Sequence, residues 1–428
     1  MKEKLTRSVG TIGLSANIMN IIIGAGIFAL PAVIAAKMGS SSIIAYLFCG
    51  ILVLLIALCY AEIGSKVTKT GGSYTYIETA FGAYPGFLAG LFSIGTTLFA
   101  DAAVSNALIN ILPVIDPVFG EQWLRLLILF FLFMGLAVIN SAGIRQGMWL
   151  IKFNTVAKLI PLILLITIGW TAVQSKNLVI EALPGIEQLG ATALILFFAF
   201  QGCEMGLVVG GEIKNPKRTV PRAIFISIFS VLVLYILIQT VAQGVLGDDL
   251  VNFKEVPLAE TARVIFGPIG YAILIAGAGV SMFGYMSGSI LNSPRVLYAL
   301  ARDKAIVSKG LERIHPRFAT PHVAILLYAF LGFIIAATGS FEQLAVIASS
   351  SLLFIYFGVA LSVLKLRSKQ PKKAEEFQIA GGYIVPVLSM LIILYFLSHM
   401  TRPEMIGTGI FAASASILYL LFKQMKKK

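Results

Sequence analysis

Long apolar stretches, separated by short polar segments, run along the whole chain. Twelve of them are roughly 17 to 30 residues long, which is the length a helix needs to cross the hydrocarbon core of a bilayer. They lie at 11–37, 41–64, 84–114, 124–142, 147–172, 189–211, 220–247, 259–293, 320–338, 342–367, 381–398 and 403–423. The pattern predicts an all-α membrane protein with twelve transmembrane helices.

Two of these stretches are interrupted by small or polar residues near mid-membrane. The first carries Gly24 and Gly26 before Pro31, and the sixth carries Gln201 and Gly202 inside an apolar run. Unwound backbone at this depth is tolerated only where it is buried in protein or lines a cavity. We therefore expect helix 1 to unwind near Gly24–Gly26 and helix 6 near Gln201–Met205. The alternative is a pair of glycine motifs for helix packing.

The placement of the two interruptions indicates an internal repeat. They open the first and sixth helices, and these run in opposite directions through the membrane. Two blocks of five helices that each begin with a broken helix are typical of an inverted-repeat transporter. The repeats would span about 11–172 and 189–367, followed by two helices at about 381–423, within a single transmembrane domain of residues 1–428.

Composition and charge support lipid as the surroundings. The 428 residues are 58% hydrophobic and 12% charged, against about 25% charged in soluble domains. The net charge of +13 is distributed as the positive-inside rule requires, with 25 of 33 Lys and Arg in the predicted cytoplasmic segments. The charge thus reflects topology rather than nucleic-acid binding. It places both termini in the cytoplasm and the protein in the cell membrane.

The predicted breaks expose backbone groups that suit a zwitterion. The N–H groups near Gly24, Ala25 and Gly26 lie at the positive end of a helix dipole and suit a carboxylate. The carbonyls that end the other half-helices suit an ammonium. These are the carbonyls of Ile22, Ile23 and Phe200. Together they describe a site for an α-amino acid, where glycine allows close approach to the backbone.

Four ionisable residues lie within the predicted spans, and such residues are functional candidates. Asp101 in helix 3 would neutralise a cationic substrate, carry a proton, or pair structurally. Lys158 in helix 5 would exchange a proton, stand where a sodium ion otherwise binds, or pair with a carboxylate. Glu204 lies in the helix 6 break and suits proton coupling. Glu62 is expected to reach the membrane surface, and we assign it no role.

Five motifs in order along the chain resemble the amino acid–polyamine–organocation transporters. They are Gly24-Ala-Gly26-Ile-Phe28, Gly71-Gly72-Ser73-Tyr74-Thr75-Tyr76 in a loop after helix 2, Phe198-Ala-Phe200-Gln201-Gly202-Cys203-Glu204, Gly211-Glu212-Ile-Lys214-Asn215-Pro216-Lys217-Arg218 with Pro221, and the segment from Leu364 to Gly382. The resemblance covers nearly the whole chain. It implies the LeuT-type fold of five plus five helices.

The resemblance also implies roles for individual residues. Ile23–Gly26 is similar to the segment that binds the substrate carboxylate, and Phe200–Cys203 to its counterpart in helix 6. Phe198 or Phe200 would be the aromatic gate over bound substrate. Ala25 departs from the serine, and Gln201 from the apolar residue, that many relatives carry.

Three further positions match charged or polar family positions. Lys158 resembles the helix 5 lysine of sodium-independent members. Glu204 matches an acidic position in the antiporter branch for arginine, agmatine, cadaverine or putrescine. Asp101 lies near a helix 3 position that contacts substrate in that branch.

The sequence therefore predicts a sodium-independent amino acid transporter of the cell membrane, working by proton symport or by exchange. The alternative is an antiporter for cationic amino acids or polyamines. No cofactor or metal site is predicted. The partners are an amino acid or amine substrate and the lipid bilayer, and the oligomeric state stays open. The three histidines, His315, His322 and His399, lie at loops or helix ends, so an enzyme is not expected.

Overall fold

A computed structural model describes residues 9–67, 72–141, 148–180, 182–207, 213–302, 305–316, 318, 320–369 and 377–425. Within these ranges every regular secondary-structure element is a helix. The β-structure in them is an isolated bridge between Val9 and Ile213. The all-α class predicted from the apolar pattern is confirmed.

The α-helices of the described ranges follow the predicted apolar stretches closely. They are α1 (Thr11–Ile22), α2 (Gly26–Met38), α3 (Ser42–Lys66), α4 (Ser73–Phe81), α5 (Ala83–Asn110), α6 (Leu112–Ile115), α7 (Gln122–Ser141), α8 (Met148–Gly169), α9 (Ile186–Leu196), α10 (Cys203–Gly206), α11 (Pro216–Leu246), α12 (Pro257–Asn292), α13 (Pro294–Arg302), α14 (His322–Thr338), α15 (Phe341–Lys369), α16 (Ile384–Leu397) and α17 (Arg402–Met425).

Among the described residues, eight helical stretches are long and apolar enough to cross a membrane. One of them, Gly26–Lys66, joins α2 and α3 through a short 3-10 turn. Four shorter apolar helices accompany them, at Thr11–Ile22, Lys158–Ala172, His322–Thr338 and Ile384–Leu397. A multi-pass membrane protein follows, while twelve crossings and the inverted repeat stay predictions.

Two segments differ from the prediction. The predicted loop after helix 2 forms α4 from Ser73 onward, because so short a helix carries no long apolar signal, while Gly71 lies outside the described residues. The predicted helix at 220–247 begins earlier, because α11 starts at Pro216 and takes in the basic residues of the fourth motif. Proline suits this first position because it has no N–H to leave unpaired. Gly211 and Glu212 lie outside the described residues.

Both predicted interruptions are present, and the second is shorter than expected. Helix 1 is divided by the non-helical segment 23–25, between α1 and α2. In helix 6, α9 continues into a 3-10 turn at Phe197–Phe200, and a turn at 201–202 precedes α10. The expected unwinding up to Met205 is therefore limited to two residues.

The two interruptions pack against each other through glycine. A Cβ added to Gly26 would lie 2.6 Å from the Cα of Ala199, in the 3-10 turn of helix 6. A Cβ added to Gly202 would lie 2.6 Å from Cγ2 of Ile21, and Gly202 also has a φ of +122°. Glycine is required at Gly26 by the contact with the Ala199 backbone, and at Gly202 by the positive φ and the close Ile21 side chain, apart from any approach of a substrate.

This packing predicts different outcomes for two neighbouring glycines. Gly26→Ala places a methyl group against the backbone of Ala199, so we expect it to destabilise the fold by about 1–3 kcal/mol. Gly24→Ala meets its nearest atom, in the Tyr285 ring, at 3.8 Å, and should be tolerated. Thermal unfolding of the purified variants in detergent compares the two. Equal melting temperatures of the two variants would contradict the prediction, because they would show that moving helix 1 away from Ala199 costs no stability.

Candidate substrate and coupling site

The end of α1 is held by a lysine from α8. The Lys158 ammonium donates hydrogen bonds to the carbonyl oxygens of Asn20, at 2.6 Å, and Ile23, at 2.7 Å. Lys158 is buried, and within the described residues it forms no ion pair with a carboxylate. The last carbonyls of a helix have no partner inside the helix, so Lys158 caps α1 where the chain unwinds.

A tyrosine from α11 connects the two breaks. The Tyr235 hydroxyl lies 3.1 Å from the carbonyl oxygen of Ile22 and 3.0 Å from that of Ala199. Tyr235 is fully buried, and its ring packs against Phe200 with the ring centroids 5.1 Å apart. One side chain therefore contacts both interrupted helices at the level where their backbone groups lack helical partners.

The backbone donors at the start of α2 suit the predicted carboxylate site in part. The N–H of Gly24 is already bonded to the carbonyl of Ile22, at 2.8 Å. In the described part of the chain, no hydrogen bond is found for the N–H groups of Ala25 and Gly26, and no side chain caps α2. These two N–H groups lie at the positive end of the α2 dipole, which is favourable for an anion.

The predicted ammonium site is more restricted than expected. The carbonyl of Ile22 accepts from the N–H of Gly24, and it shares the single Tyr235 hydroxyl proton with the carbonyl of Ala199. The carbonyl of Ile23 accepts from Lys158 and keeps one lone pair. An ammonium that binds here would therefore share Ile23 with Lys158 rather than bind free carbonyls.

Helix α15 holds the break in helix 6. Gln201 donates to the Ser349 hydroxyl, with Nε2 2.9 Å from Oγ. The Glu204 carboxylate accepts from the N–H of Gly202, at 3.2 Å, and from the Tyr356 hydroxyl. Because Ser349 and Tyr356 are seven residues apart, they lie on one face of α15, two turns from each other.

The remaining predicted residues of helix 6 are buried. The Cys203 thiol lies 3.7 Å from the Tyr356 hydroxyl oxygen. The Phe198 ring packs edge-on against Phe341 at the start of α15, with centroids 5.7 Å apart. The two candidates for an aromatic gate thus have different neighbours, since Phe200 packs against Tyr235.

Asp101 occupies a separate polar cluster behind the helix 1 break. Its Oδ2 accepts from the Tyr328 hydroxyl of α14, at 2.8 Å. Its Oδ1 is buried and has no hydrogen-bond partner among the described residues. Tyr285 and Ser289 of α12 also face Asp101, and the Tyr285 ring lies beside Gly24. Tyr285 therefore separates the carboxylate from the break.

The expectation that Glu62 reaches the membrane surface is wrong. Glu62 is fully buried, and both of its carboxylate oxygens accept from the guanidinium of Arg367 on α15. It also accepts from the N–H of Ile379, at 3.0 Å, and lies 3.4 Å from the Lys66 ammonium. Paired cations and an N–H donor compensate the cost of burying the carboxylate, so Glu62 ties α3 to α15.

The sequence reasoning missed the hydroxyl groups that organise the site. These belong to Tyr235, Tyr285, Tyr328, Ser349 and Tyr356. A buried tyrosine requires a partner for its hydroxyl, so tyrosines within apolar spans were the available signal. Their partners are mostly backbone carbonyls or distant carboxylates, which no local spacing indicates.

The described part of the chain thus has two interrupted apolar helices in contact, with N–H groups at the break that make no hydrogen bond within it, an arrangement typical of membrane carriers. Comparison with known proteins then identifies the family. The chain belongs to the amino acid permease family, whose model matches residues 9–422. It is a membrane transporter and not an enzyme.

Several relatives are similar over nearly their full length. The serine/threonine exchanger SteT of Bacillus subtilis (strain 168) is 30% identical over 399 residues, 91% of this chain and 89% of the relative. The branched-chain amino acid permease BcaP of the same organism is 24% identical over 100% of this chain and 95% of its own. The human b(0,+)-type amino acid transporter 1 is 26% identical over 99% of this chain and 89% of its own.

The bridging tyrosine gives a prediction with an internal control. Tyr235→Phe removes the one hydroxyl proton that the carbonyls of Ile22 and Ala199 share, a loss of about 1 kcal/mol, and should lower the melting temperature and the rate of amino acid uptake. The control is Tyr46→Phe, because the Tyr46 hydroxyl is also buried but has no partner in the described residues. Unfolding and uptake are measured for both variants. A larger effect at Tyr46 would contradict the bridge.

Proposed function

We propose that the chain is a sodium-independent secondary transporter of amino acids in the cell membrane, working by exchange or by proton symport. The observation that carries this proposal is the pair of hydrogen bonds from Lys158 to Asn20 and Ile23. The whole chain forms the single transport unit, with the two five-helix repeats arranged around this site and both termini in the cytoplasm.

The lysine takes the place of a coupling ion. Carbonyl oxygens at an unwound helix end are the ligands that coupling cations take in such carriers. The Lys158 ammonium supplies a positive charge to the carbonyls of Asn20 and Ile23 without any metal. A sodium ion at the same carbonyls would meet this charge in a medium of low dielectric constant, where repulsion is strong.

The substrate is an α-amino acid whose carboxylate binds the N–H groups of Ala25 and Gly26. The absence of a side-chain cap leaves the start of α2 open for this anion. Phe198, Phe200, Gln201, Gly202 and Cys203 form the opposite side of the site. The names of two relatives, a serine/threonine exchanger and a branched-chain amino acid permease, are consistent with neutral substrates.

A second candidate is an antiporter for cationic amino acids or polyamines, and one observation favours it. Among the described residues, Oδ1 of Asp101 is buried and makes no hydrogen bond of full geometry, although Tyr285 and Ser289 face the carboxyl group. A buried carboxylate oxygen that is incompletely satisfied is costly unless it meets a cation or a proton. A cationic side chain that passes Tyr285 would supply the missing partner. A mouse relative, 28% identical over 86% of this chain, is named cationic amino acid transporter 4.

Glu204 is the proposed proton-coupling partner. Its carboxylate binds the helix 6 backbone at Gly202 and the hydroxyl of Tyr356. Protonation would remove the charge that both donors stabilise and would loosen the turn at 201–202. Under exchange without protons, Glu204 would instead keep the turn closed throughout the cycle.

Lys158 should determine the ion requirement. Wild-type protein in sodium-free liposomes should take up amino acid at the rate seen with sodium. Lys158→Ala removes the ammonium from the carbonyls of Asn20 and Ile23, at about 1–3 kcal/mol for the buried carbonyl of Ile23, and should reduce uptake at least tenfold. The measurement is uptake with sodium, with a proton gradient, and with amino acid preloaded inside. Stimulation by preloading indicates exchange, and stimulation by the gradient indicates symport.

The control for this variant is Lys176→Ala, in the 3-10 turn that follows α8. Uptake is normalised to the folded fraction of each protein, so that a merely unstable variant is recognised. A strict sodium requirement in the wild type, or unchanged uptake by well-folded Lys158→Ala, would remove Lys158 from the mechanism.

Substrate charge should depend on Asp101. Asp101→Asn keeps an acceptor for Tyr328 but removes the negative charge, so binding of arginine, lysine or polyamines should weaken at least tenfold, since an unpaired buried charge costs a few kcal/mol. Binding of neutral amino acids should change little. Calorimetric titration with a neutral and a cationic ligand makes the comparison. Equal losses for both would assign Asp101 a structural role.

A further inference from the structure

A groove of about 730 Å³ lies on the surface between α3 and the start of α11. It is separate from the site at the helix breaks. One end carries the cations Lys217, Arg218 and Arg222, and the remainder is lined by apolar side chains that include Leu54, Leu58 and Phe225. Neither the transport mechanism nor the packing of the breaks uses these three cations.

The groove changes from charged to apolar along α11. On α11 the lining residues run from Lys217 to Ile226, which is about 13 Å at 1.5 Å per residue. The charged residues lie at the N-terminus of α11, and Phe225 and Ile226 lie about one turn further along the helix. A phospholipid has the same order, with a charged headgroup at the surface and acyl chains toward the centre of the bilayer.

Two arginines of the groove have no ion-pair partner among the residues that the structure describes. Arg218 and Arg222 are exposed and lie four residues apart, so they are neighbours on one face of α11. In the described residues no carboxylate forms an ion pair with either. Two like charges one turn apart repel each other unless an anion lies between them. The groove therefore favours a ligand with a phosphate group.

The groove opens on the face that the charge distribution assigns to the cytoplasm. The N–H of Lys214, just before α11, bonds to the carbonyl of Val9, at 2.9 Å. This contact places the start of α11 at the same membrane face as the start of α1. Anionic lipids of the inner leaflet are recognised by basic pockets between helices on this side.

We propose that this groove binds an anionic phospholipid of the inner leaflet. Its phosphate would lie between Arg218 and Arg222, and one acyl chain would run along Leu54, Leu58 and Phe225. The lipid would bridge α3 and α11, which pack tightly further along, where Gly50 admits the side chain of Leu232. Because α11 also carries Tyr235, the occupied groove would stabilise the helix that joins the two breaks.

The test is a lipid titration of the purified full-length protein in neutral detergent. Dioleoyl phosphatidylglycerol should raise the melting temperature at lower concentration than dioleoyl phosphatidylcholine, because a ligand of the folded state stabilises it. Each cation near an anionic headgroup contributes about fivefold in affinity. The double variant Arg218→Gln/Arg222→Gln should therefore bind phosphatidylglycerol about 25-fold more weakly.

The matched control is Lys369→Gln/Lys423→Gln, which removes two exposed cations outside the groove and should respond like the wild type. Glycerol phosphate supplies the phosphate headgroup without acyl chains. At the concentration where phosphatidylglycerol saturates its effect, glycerol phosphate should leave the melting temperature unchanged. An equal shift by glycerol phosphate would overturn the lipid proposal, as would an unchanged response of the arginine variant. If the double variant does not fold, the single variant Arg222→Gln replaces it. Native mass spectrometry then compares the phosphatidylglycerol retained by this variant with that retained by the wild type, and equal retention would overturn the proposal.

Discussion

The structure depends on how the end of a helix is satisfied inside a hydrocarbon environment. Where α1 stops, its last carbonyls have neither water nor a following turn as partners, and each unsatisfied group costs several kcal/mol. Lys158 and Tyr235 supply the donors from two other helices, at Asn20, Ile22 and Ile23. A membrane helix is broken here without penalty because α8 and α11 bring polar groups to that depth. The N–H groups of Ala25 and Gly26, on the other side of the same break, are left for a ligand.

The second interrupted helix is held by different chemistry. Gln201 donates to the Ser349 hydroxyl, and Glu204 accepts from the Tyr356 hydroxyl and from the N–H of Gly202. None of these groups is an ammonium, so among the described residues this break carries no fixed positive charge. The two halves of the site therefore differ in charge, although both interruptions have similar glycine-containing backbones. A zwitterion would meet a preset cation at one side and a carboxylate at the other.

The sequence predicted the helical class and the place of both breaks because apolar length and glycine placement are local signals. It identified Lys158, Asp101 and Glu204 because charge within an apolar span is unusual. It missed Tyr235, Ser349 and Tyr356, because their roles depend on distant partners. Ser349 lies 148 residues from Gln201, Tyr356 lies 152 residues from Glu204, and Tyr235 lies 213 residues from Ile22. Only Ala199, 36 residues from Tyr235, is nearer in the sequence among these partners. Glu62 was misjudged because its partner Arg367 is 305 residues distant. Short helices such as α4 were missed because nine residues are too few to give a long apolar stretch.

The glycine contacts divide the broken helices into two pairs. Gly202 packs against Ile21, so the inner segment α1 lies on α10, while Gly26 packs against Ala199, so α2 lies on the 3-10 turn of helix 6. The first pair is held by a side chain against a turn and the second by two backbones. Tyr235 links the two pairs, because its hydroxyl lies between the carbonyl of Ile22 in one and that of Ala199 in the other. Any conformational change that separates the two pairs would have to break this link, so the Tyr235 hydroxyl opposes their separation.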